Sequence, residues 1–109
     1  MREYNIKTVP QAFPGTPVDL SVRIGQGGAI LDHITIHLDT APVSAGSLTV
    51  TLDSADGPEF DTLLASIDLN GVTDHLEIFN LALQTGDVVK LAYANPDGRT
   101  IGCRVALRE

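Results

Sequence analysis

Hydrophobic and polar residues alternate with a period of two along most of this chain. The clearest stretch is residues 30–38, where the three isoleucines and Leu38 share one face and histidine and threonine share the other. Asp32 falls on the apolar face, so the buried part of this stretch is predicted to begin near His33. β-Branched residues and threonine crowd such stretches, as is typical of half-buried β-strands.

The seven further segments with this alternation are residues 4–9, 18–24, 47–53, 61–69, 75–78, 88–93 and 101–108. Segment 4–9 is predicted as an edge strand closed by Pro10. Segment 61–69 also fits two turns of helix, and the strand is favoured because residues 68–71 resemble a strand end that enters a turn. In segment 75–78, the apolar positions are Leu76 and Ile78.

Turn-forming residues separate these segments at the spacing of about 8–12 residues that is typical of a sandwich or barrel. The strongest turn signal is residues 95–98 (Asn-Pro-Asp-Gly), in which proline sets φ and glycine takes the left-handed position. This turn joins two strongly alternating segments, which predicts a β-hairpin over about residues 88–107. The predicted fold is therefore all-β: an antiparallel two-sheet β-sandwich, jelly-roll-like, with about eight strands.

Chain length and charge limit the number of domains and the classes of partner. The 109 residues predict a single domain, in which residues 1–17 form an N-terminal arm or edge strand. The formal net charge is −7, and the seven Lys and Arg residues are scattered, so no nucleic-acid partner is expected. An acidic surface and the lack of a long apolar run also predict no membrane partner. One cysteine, Cys103, allows no intrachain disulfide.

The candidate chemistry is sparse. His33 and His37 share a strand face about 13 Å apart, too far for one metal ion, and are predicted as solvated or edge histidines. The loop of residues 53–61 carries four carboxylates of the kind that calcium prefers, but its spacing does not match an EF-hand. The weak calcium candidates are Asp53, Asp56, Glu59 and Asp61. The alternative to a calcium site is a solvated turn, and no cofactor or resident metal is predicted.

Other motifs favour structural roles. The glycine-rich residues 25–28 precede a strand rather than a helix, so they are predicted as a flexible hairpin or arm joint and not as a phosphate loop. Cys103 lies on the apolar face of the last strand and is predicted as a core residue. No serine lies in a nucleophile-elbow context, so no catalytic residue is predicted.

Two runs of the sequence resemble a group of small tailed-bacteriophage virion proteins. The runs are GAILDHITIHLDTAPVSAGSLTVTLDSADGPEFDTLL and LQTGDVVKLAYANPDGRTIG, and the likeness extends over about residues 28–102. The members to compare are capsid decoration or cement proteins, which are jelly-roll-like sandwiches that brace neighbouring major capsid subunits. The pattern contains no catalytic residue to carry over.

The resemblance implies a non-enzymatic protein that decorates and stabilises the capsid by binding the major capsid protein. It implies a homo-oligomer, dimer or trimer, located on the capsid exterior of the virion after synthesis in the host cytoplasm. Residues before Gly28 lie outside the likeness, and three apolar residues there are expected to be exposed and to contact a partner: Tyr4, Ile6 and Phe13. Deleting residues 1–14 is expected to weaken association and leave the fold intact.

Three alternatives remain open from the sequence. A receptor-, glycan- or tail-associated binding module of similar fold is the first, although aromatic residues are few for a sugar platform. A small hydrolase or metal enzyme is the second, and a non-viral adaptor with a sandwich fold is the third. Fold alone does not choose among them.

Overall fold

Eight β-strands and one 3-10 turn, Pro58–Phe60, form the regular structure in the computed structural model, which describes residues 5–109. The strands are β1 (Ile6–Pro14), β2 (Val18–Arg23), β3 (Ala29–Leu38), β4 (Ser47–Asp53), β5 (Thr62–Asp68), β6 (Asp74–Leu83), β7 (Val88–Tyr93) and β8 (Thr100–Arg108). In β2 buried and exposed residues alternate strictly, because successive side chains of a strand point to opposite faces.

The strands divide into two four-stranded antiparallel sheets. The first sheet has the order β1-β8-β3-β6, and the second has the order β2-β7-β4-β5. Within residues 5–109, β4 and β5 are the one pair of consecutive strands that are neighbours in a sheet, and every other connection crosses between sheets. This is the strand order of a jelly roll. The predicted all-β, two-sheet antiparallel sandwich is confirmed.

The core lies between the inner faces of the two sheets. Its fully buried side chains come from both sheets in similar number and are almost all branched aliphatic residues. The largest are Ile24, Leu31, Ile34, Ile36, Leu38, Leu48, Leu69, Leu91 and Ile101. Cys103 is also buried on the inner face of β8, as predicted.

The predicted hairpin over residues 88–107 is wrong. β7 pairs with β2 and β4 in the second sheet, whereas β8 pairs with β1 and β3 in the first. Residues 95–98 therefore carry the chain across the edge of the sandwich. Two strands that face one core from opposite sheets show the same alternation as two paired strands, so the pattern did not separate the two arrangements.

The first strand is longer than predicted, and Pro10 does not close it. β1 pairs with β8 from Ile6 to Pro14, and Pro10 lies in mid-strand opposite Arg104. An edge strand tolerates proline because the missing N–H lies on the unpaired side. The expected exposure of Phe13 is also wrong: its side chain is 4% exposed, because Phe13 lies opposite Ile101 and faces the core.

Two other segments settle questions that the sequence left open. Segment 61–69 contains strand β5, which pairs with β4, so the helical alternative is wrong. β6 is longer than its predicted segment, and its two early apolar residues, Leu76 and Ile78, point away from the core. They do so because Phe79, Leu81 and Leu83, at the other parity of the strand, occupy the inner side.

Candidate functional site

The outer surface of the first sheet, hereafter the first face, is the most distinctive surface of the molecule. Directly opposed residues of antiparallel strands point to the same side, so the pairing registers define four rows across β1, β8, β3 and β6. The rows are Ile6–Arg108–Ile30–Ala82, Thr8–Ala106–His33–Ile78, Pro10–Arg104–Thr35–Leu76 and Ala12–Gly102–His37–Asp74.

Large apolar side chains stand exposed at both margins of the first face. Ile6 on β1 is 53% exposed, and on β6 Leu76 is 56% and Ile78 is 70% exposed. Between these margins lies a shallow depression over Gly102, which is lined by residues 10–12 of β1, by Thr35 and His37 of β3 and by Arg104 of β8. A Cβ at Gly102 would meet no atom within 4 Å, so this depression is open space.

The charges on the first face form local pairs. Asp32 Oδ2 lies 2.5 Å from His33 Nδ1, and Asp32 Oδ1 lies 2.7 Å from Arg108 Nε. The hydrogen bond with His33 is the main reason that the pKa of Asp32 is lowered, and Arg108 adds to it. Asp74 Oδ1 lies 2.6 Å from His37 Nδ1, which lowers the pKa of Asp74 in the same way.

The face is therefore balanced in charge. Among residues 5–109, the two arginines of this face, Arg104 and Arg108, match its two carboxylates, Asp32 and Asp74, when histidine is counted as neutral. The whole chain, in contrast, carries a formal charge of −7. An apolar, charge-balanced face on an acidic protein is a surface that can approach another acidic molecule with little repulsion.

A β-bulge explains why Asp32 belongs to this face. The register of β3 shifts between Leu31 and His33 against both of its neighbours, which moves Asp32 off the inner face. Asn80 of β6, opposite the bulge, has a positive φ of 53° and accepts a hydrogen bond from Arg108. Asp32 interrupts the apolar pattern in the sequence. Because of the bulge, it lies on the first face, where it pairs with His33 and Arg108.

The outer surface of the second sheet, hereafter the second face, has a different character. It is rich in hydroxyl groups, which come from Ser21, Ser47, Thr49, Thr51 and Ser66. Three carboxylates, Asp19, Asp53 and Asp68, outnumber Arg23 and Lys90 there. Its large exposed apolar residue is Leu63, which is 59% exposed at the β5 margin.

The loop carboxylates that suggested calcium are used separately. Asp61 Oδ1 accepts a hydrogen bond from the Ser54 backbone N–H at 2.8 Å, and Asp53 lies 3.1 Å from Lys90 Nζ. Asp56 and Glu59 are exposed in the same loop. Over residues 5–109, no group of three or more His, Cys, Asp or Glu side chains is arranged to hold a metal ion.

The three residues that were predicted to contact a partner differ in location. Ile6 lies in the first row of the first face and is exposed, Phe13 is buried in the core, and Tyr4 lies outside the described residues. The sequence missed Leu76 and Ile78, which it presented as ordinary alternating strand positions. The one available signal was the stronger apolar set at Phe79, Leu81 and Leu83 on the opposite parity.

Polar side chains at the loops stabilise the loops by hydrogen bonds to backbone groups. Asp87 Oδ1 accepts a hydrogen bond from the Ala55 N–H and Asp87 Oδ2 accepts one from the Gln84 N–H, each at 2.9 Å. At the other end of the sandwich, Asp97 accepts hydrogen bonds from two backbone N–H groups and the hydroxyl of the 43–44 segment. These hydrogen bonds lower the pKa of Asp97, and the bond from the Ser44 hydroxyl has the largest effect.

In the described part of the chain, no helix is long and apolar enough to cross a membrane.

Comparison with known proteins places the chain near no family. No family model matches it, and no curated protein matches it. Among solved structures, a chain from the structure of the Gx strain of infectious bursal disease virus aligns with a TM-score of 0.40 and 13% sequence identity. That alignment covers 98% of this chain and 32% of the viral chain, so the chain spans about a third of its length. The function proposed below therefore rests on the residues of this chain.

Proposed function

We propose that this chain is a non-enzymatic structural protein of a tailed-phage virion that decorates the capsid exterior and stabilises it by binding the major capsid protein. The resemblance of residues 28–102 to small phage virion proteins supports the proposal. The jelly-roll order of the strands agrees with it, but jelly rolls also occur in lectins and cupins, so the fold alone does not choose the function.

The observation that carries the proposal is the first face. Three large apolar side chains stand more than half exposed on it, in rows that also contain proline, alanine and glycine. Leu76 and Ile78 are neighbours on one side of β6, and apolar side chains that are exposed together are typical of surfaces that bind other proteins. Its carboxylates already have hydrogen-bonding partners on the same face, so burial on a partner leaves neither carboxylate without a donor.

Capsid sedimentation tests the proposal directly. Purified protein is mixed with expanded heads that lack decoration, the heads are pelleted, and the retained protein is measured together with the melting temperature of the heads. We expect saturable retention and a higher melting temperature. Retention on isolated tails but not on heads, or on neither, would refute a decoration role.

A pair of matched variants tests whether the first face is responsible. Ile78→Asp places a charge among the exposed apolar residues of the first face, and Leu63→Asp makes the same kind of change on the second face. We expect Ile78→Asp to weaken retention by about tenfold or more, and Leu63→Asp to leave it near wild type. Equal retention of both variants would show that the first face is not involved.

A further inference from the structure

A groove at one end of the sandwich is not used by the proposed function. It lies between the loop of residues 54–61 and the end of β6, and its apolar lining comes from Leu52, Phe60, Ala82 and Leu83. Phe60 is 59% exposed, so much of its ring is not covered by the described residues. Of the described residues that line the groove, Ala82 alone belongs also to the first face. The groove is therefore a separate apolar surface that a ligand can cover.

The polar side chains that line this groove are acidic or neutral. Asp56 and Asp87 contribute carboxylates, and Ser54 and Gln84 contribute neutral groups. Among the described residues, no lysine, arginine or histidine lines the groove. Glu59, which precedes the exposed phenylalanine, adds a further exposed carboxylate to the loop. A cleft lined by charge of one sign concentrates ligands of the opposite sign, so this groove attracts a cation.

The carboxylates around the groove are not neutralised within the described chain. In residues 5–109, the carboxylates of Asp56 and Glu59 make no ion pair and accept no hydrogen bond. Asp87 is 5% exposed and is held by the backbone N–H groups of Ala55 and Gln84, but no cationic side chain of this part of the chain pairs with it. A cation that enters the groove would therefore meet negative charge that is still uncompensated.

The loop that forms one side of the groove is held in place before any ligand arrives. The Ser54 N–H donates to Asp61 Oδ1 at 2.8 Å, and the Ala55 N–H donates to Asp87 Oδ1 at 2.9 Å. Backbone hydrogen bonds of 3.0 and 3.2 Å close the 3-10 turn that carries the exposed ring. A loop fixed in this way loses little conformational entropy on binding, which favours affinity.

The chemistry of the groove favours an organic cation over a metal ion. Calcium needs several oxygen ligands together, and residues 5–109 contain no group of three or more carboxylates arranged to hold a metal. An arginine side chain uses every part of the groove. Its flat guanidinium stacks on an aromatic ring and binds a carboxylate through two N–H groups, while its aliphatic stem covers apolar surface. Lysine offers a point charge without the flat group.

We propose that this groove is a docking site for an arginine side chain on a basic segment of another protein. The guanidinium stacks on the exposed ring of Phe60 and pairs with the Asp56 carboxylate, and the aliphatic stem lies against Leu52. The site gives the four-carboxylate loop a task that neither calcium nor the first face provides. This inference does not depend on the capsid role.

NMR titration of the ¹⁵N-labelled full chain with the peptide acetyl-Gly-Arg-Gly-amide tests the site. We expect saturable chemical-shift changes in residues 52–61 and 82–87. A peptide with citrulline in place of arginine keeps the shape without the charge and should not bind, and a peptide with lysine should bind more weakly. The absence of saturable changes, changes confined to the first face, or equal binding of the citrulline or lysine peptide overturns the inference.

Matched variants of the full chain test the two contacts separately. We expect Phe60→Ala and Asp56→Asn each to weaken binding of the arginine peptide by about two- to fivefold. Leu63→Ala is the control for the ring, since Leu63 is also 59% exposed but lies outside the groove, and Asp19→Asn on the second face is the control for the charge. Circular dichroism shows that each variant is folded. Wild-type affinity in either groove variant, or equal losses in the controls, overturns the inference.

The outcomes separate this site from the capsid role. A chain that binds the arginine peptide in the groove but is not retained on heads supports the inference and refutes the proposed function. A chain that is retained on heads but does not bind the peptide refutes the inference and leaves the proposed function standing.

Discussion

Asn95 shows how one buried polar side chain can hold a corner of the sandwich. Its side-chain nitrogen donates to the carbonyls of Thr16 and Arg99 at 2.8 Å, and its oxygen accepts from the Arg99 N–H at 2.8 Å. Its φ of 54° is in the left-handed region, which asparagine tolerates better than most residues. The residue thereby ties the β1–β2 connection to the turn that leads from the second sheet into the first.

Replacing this residue should therefore be costly. We expect Asn95→Ala to lower the free energy of unfolding by about 2–3 kcal/mol, because three buried hydrogen bonds are lost and backbone groups are left unsatisfied. Asn80→Ala is the control, since Asn80 has nearly the same φ, 53°, but is exposed. Urea unfolding of both variants measures the difference, and equal losses would contradict the role assigned to the Asn95 side chain.

The burial of a single residue was predictable where its neighbours in sequence determine it. The burial of Cys103 followed from the alternation around it and is confirmed. The roles of Asn95 and Asp87 did not follow, because their partners Thr16 and Ala55 lie 79 and 32 positions away. Asp32 is an intermediate case, since the pattern showed an interruption but did not show that a bulge resolves it.

At the scale of elements, strands were easier to predict than their pairing. Residues 47–53 and 88–93 are strands with the predicted bounds, because hydrophobic period is a local property. The pairing of β7 with β8 was wrong, because a strong turn signal does not say whether the chain stays in its sheet or crosses to the other. The same limit reversed the two sides of β6, whose orientation depends on its register with β3.

The structure also changes what is expected from removing the first strand. β1 pairs along its whole length with β8, and Phe13 is part of the core. We now expect deletion of residues 1–14 to lower the melting temperature strongly or prevent folding, since losing a buried phenylalanine side chain alone costs about 3–5 kcal/mol. Deletion of residues 1–5, which leaves β1 complete, is the control. An unchanged melting temperature in the longer deletion would restore the idea of a free arm.

At the scale of the whole molecule, the candidate surface could not be predicted, although the fold class could. The first face is made of residues from β1, β8, β3 and β6, which are neighbours only after the sheets have formed. In the sequence Leu76 and Ile78 look like ordinary core positions of a strand. Charge balance on one face of an acidic chain is likewise invisible until the rows are known.

Cys103 provides a probe of global unfolding. Burial raises the pKa of its thiol to about 11, and the thiol lies on the inner face of β8, which has neighbours on both sides. We expect alkylation at pH 8 to be slow in native buffer and rapid in denaturant, with a native rate that follows the opening of the whole sandwich. Mass spectrometry measures the labelled fraction over time, and rapid labelling of native protein would contradict this burial.

The pairing of β1 with β8 has a consequence for how the protein is made. Ile6 lies opposite Arg108, so β1 can pair only after β8 has been synthesised, about a hundred residues later in the chain. Among residues 5–109, β4 and β5 are the one pair of neighbouring strands that are consecutive in the chain, and the other strand pairs join residues far apart in sequence. The fold therefore has a high contact order, and we expect it to form in milliseconds to seconds rather than microseconds. During translation we therefore expect β1 to remain unpaired, and folding to be completed only after β8 has left the ribosome.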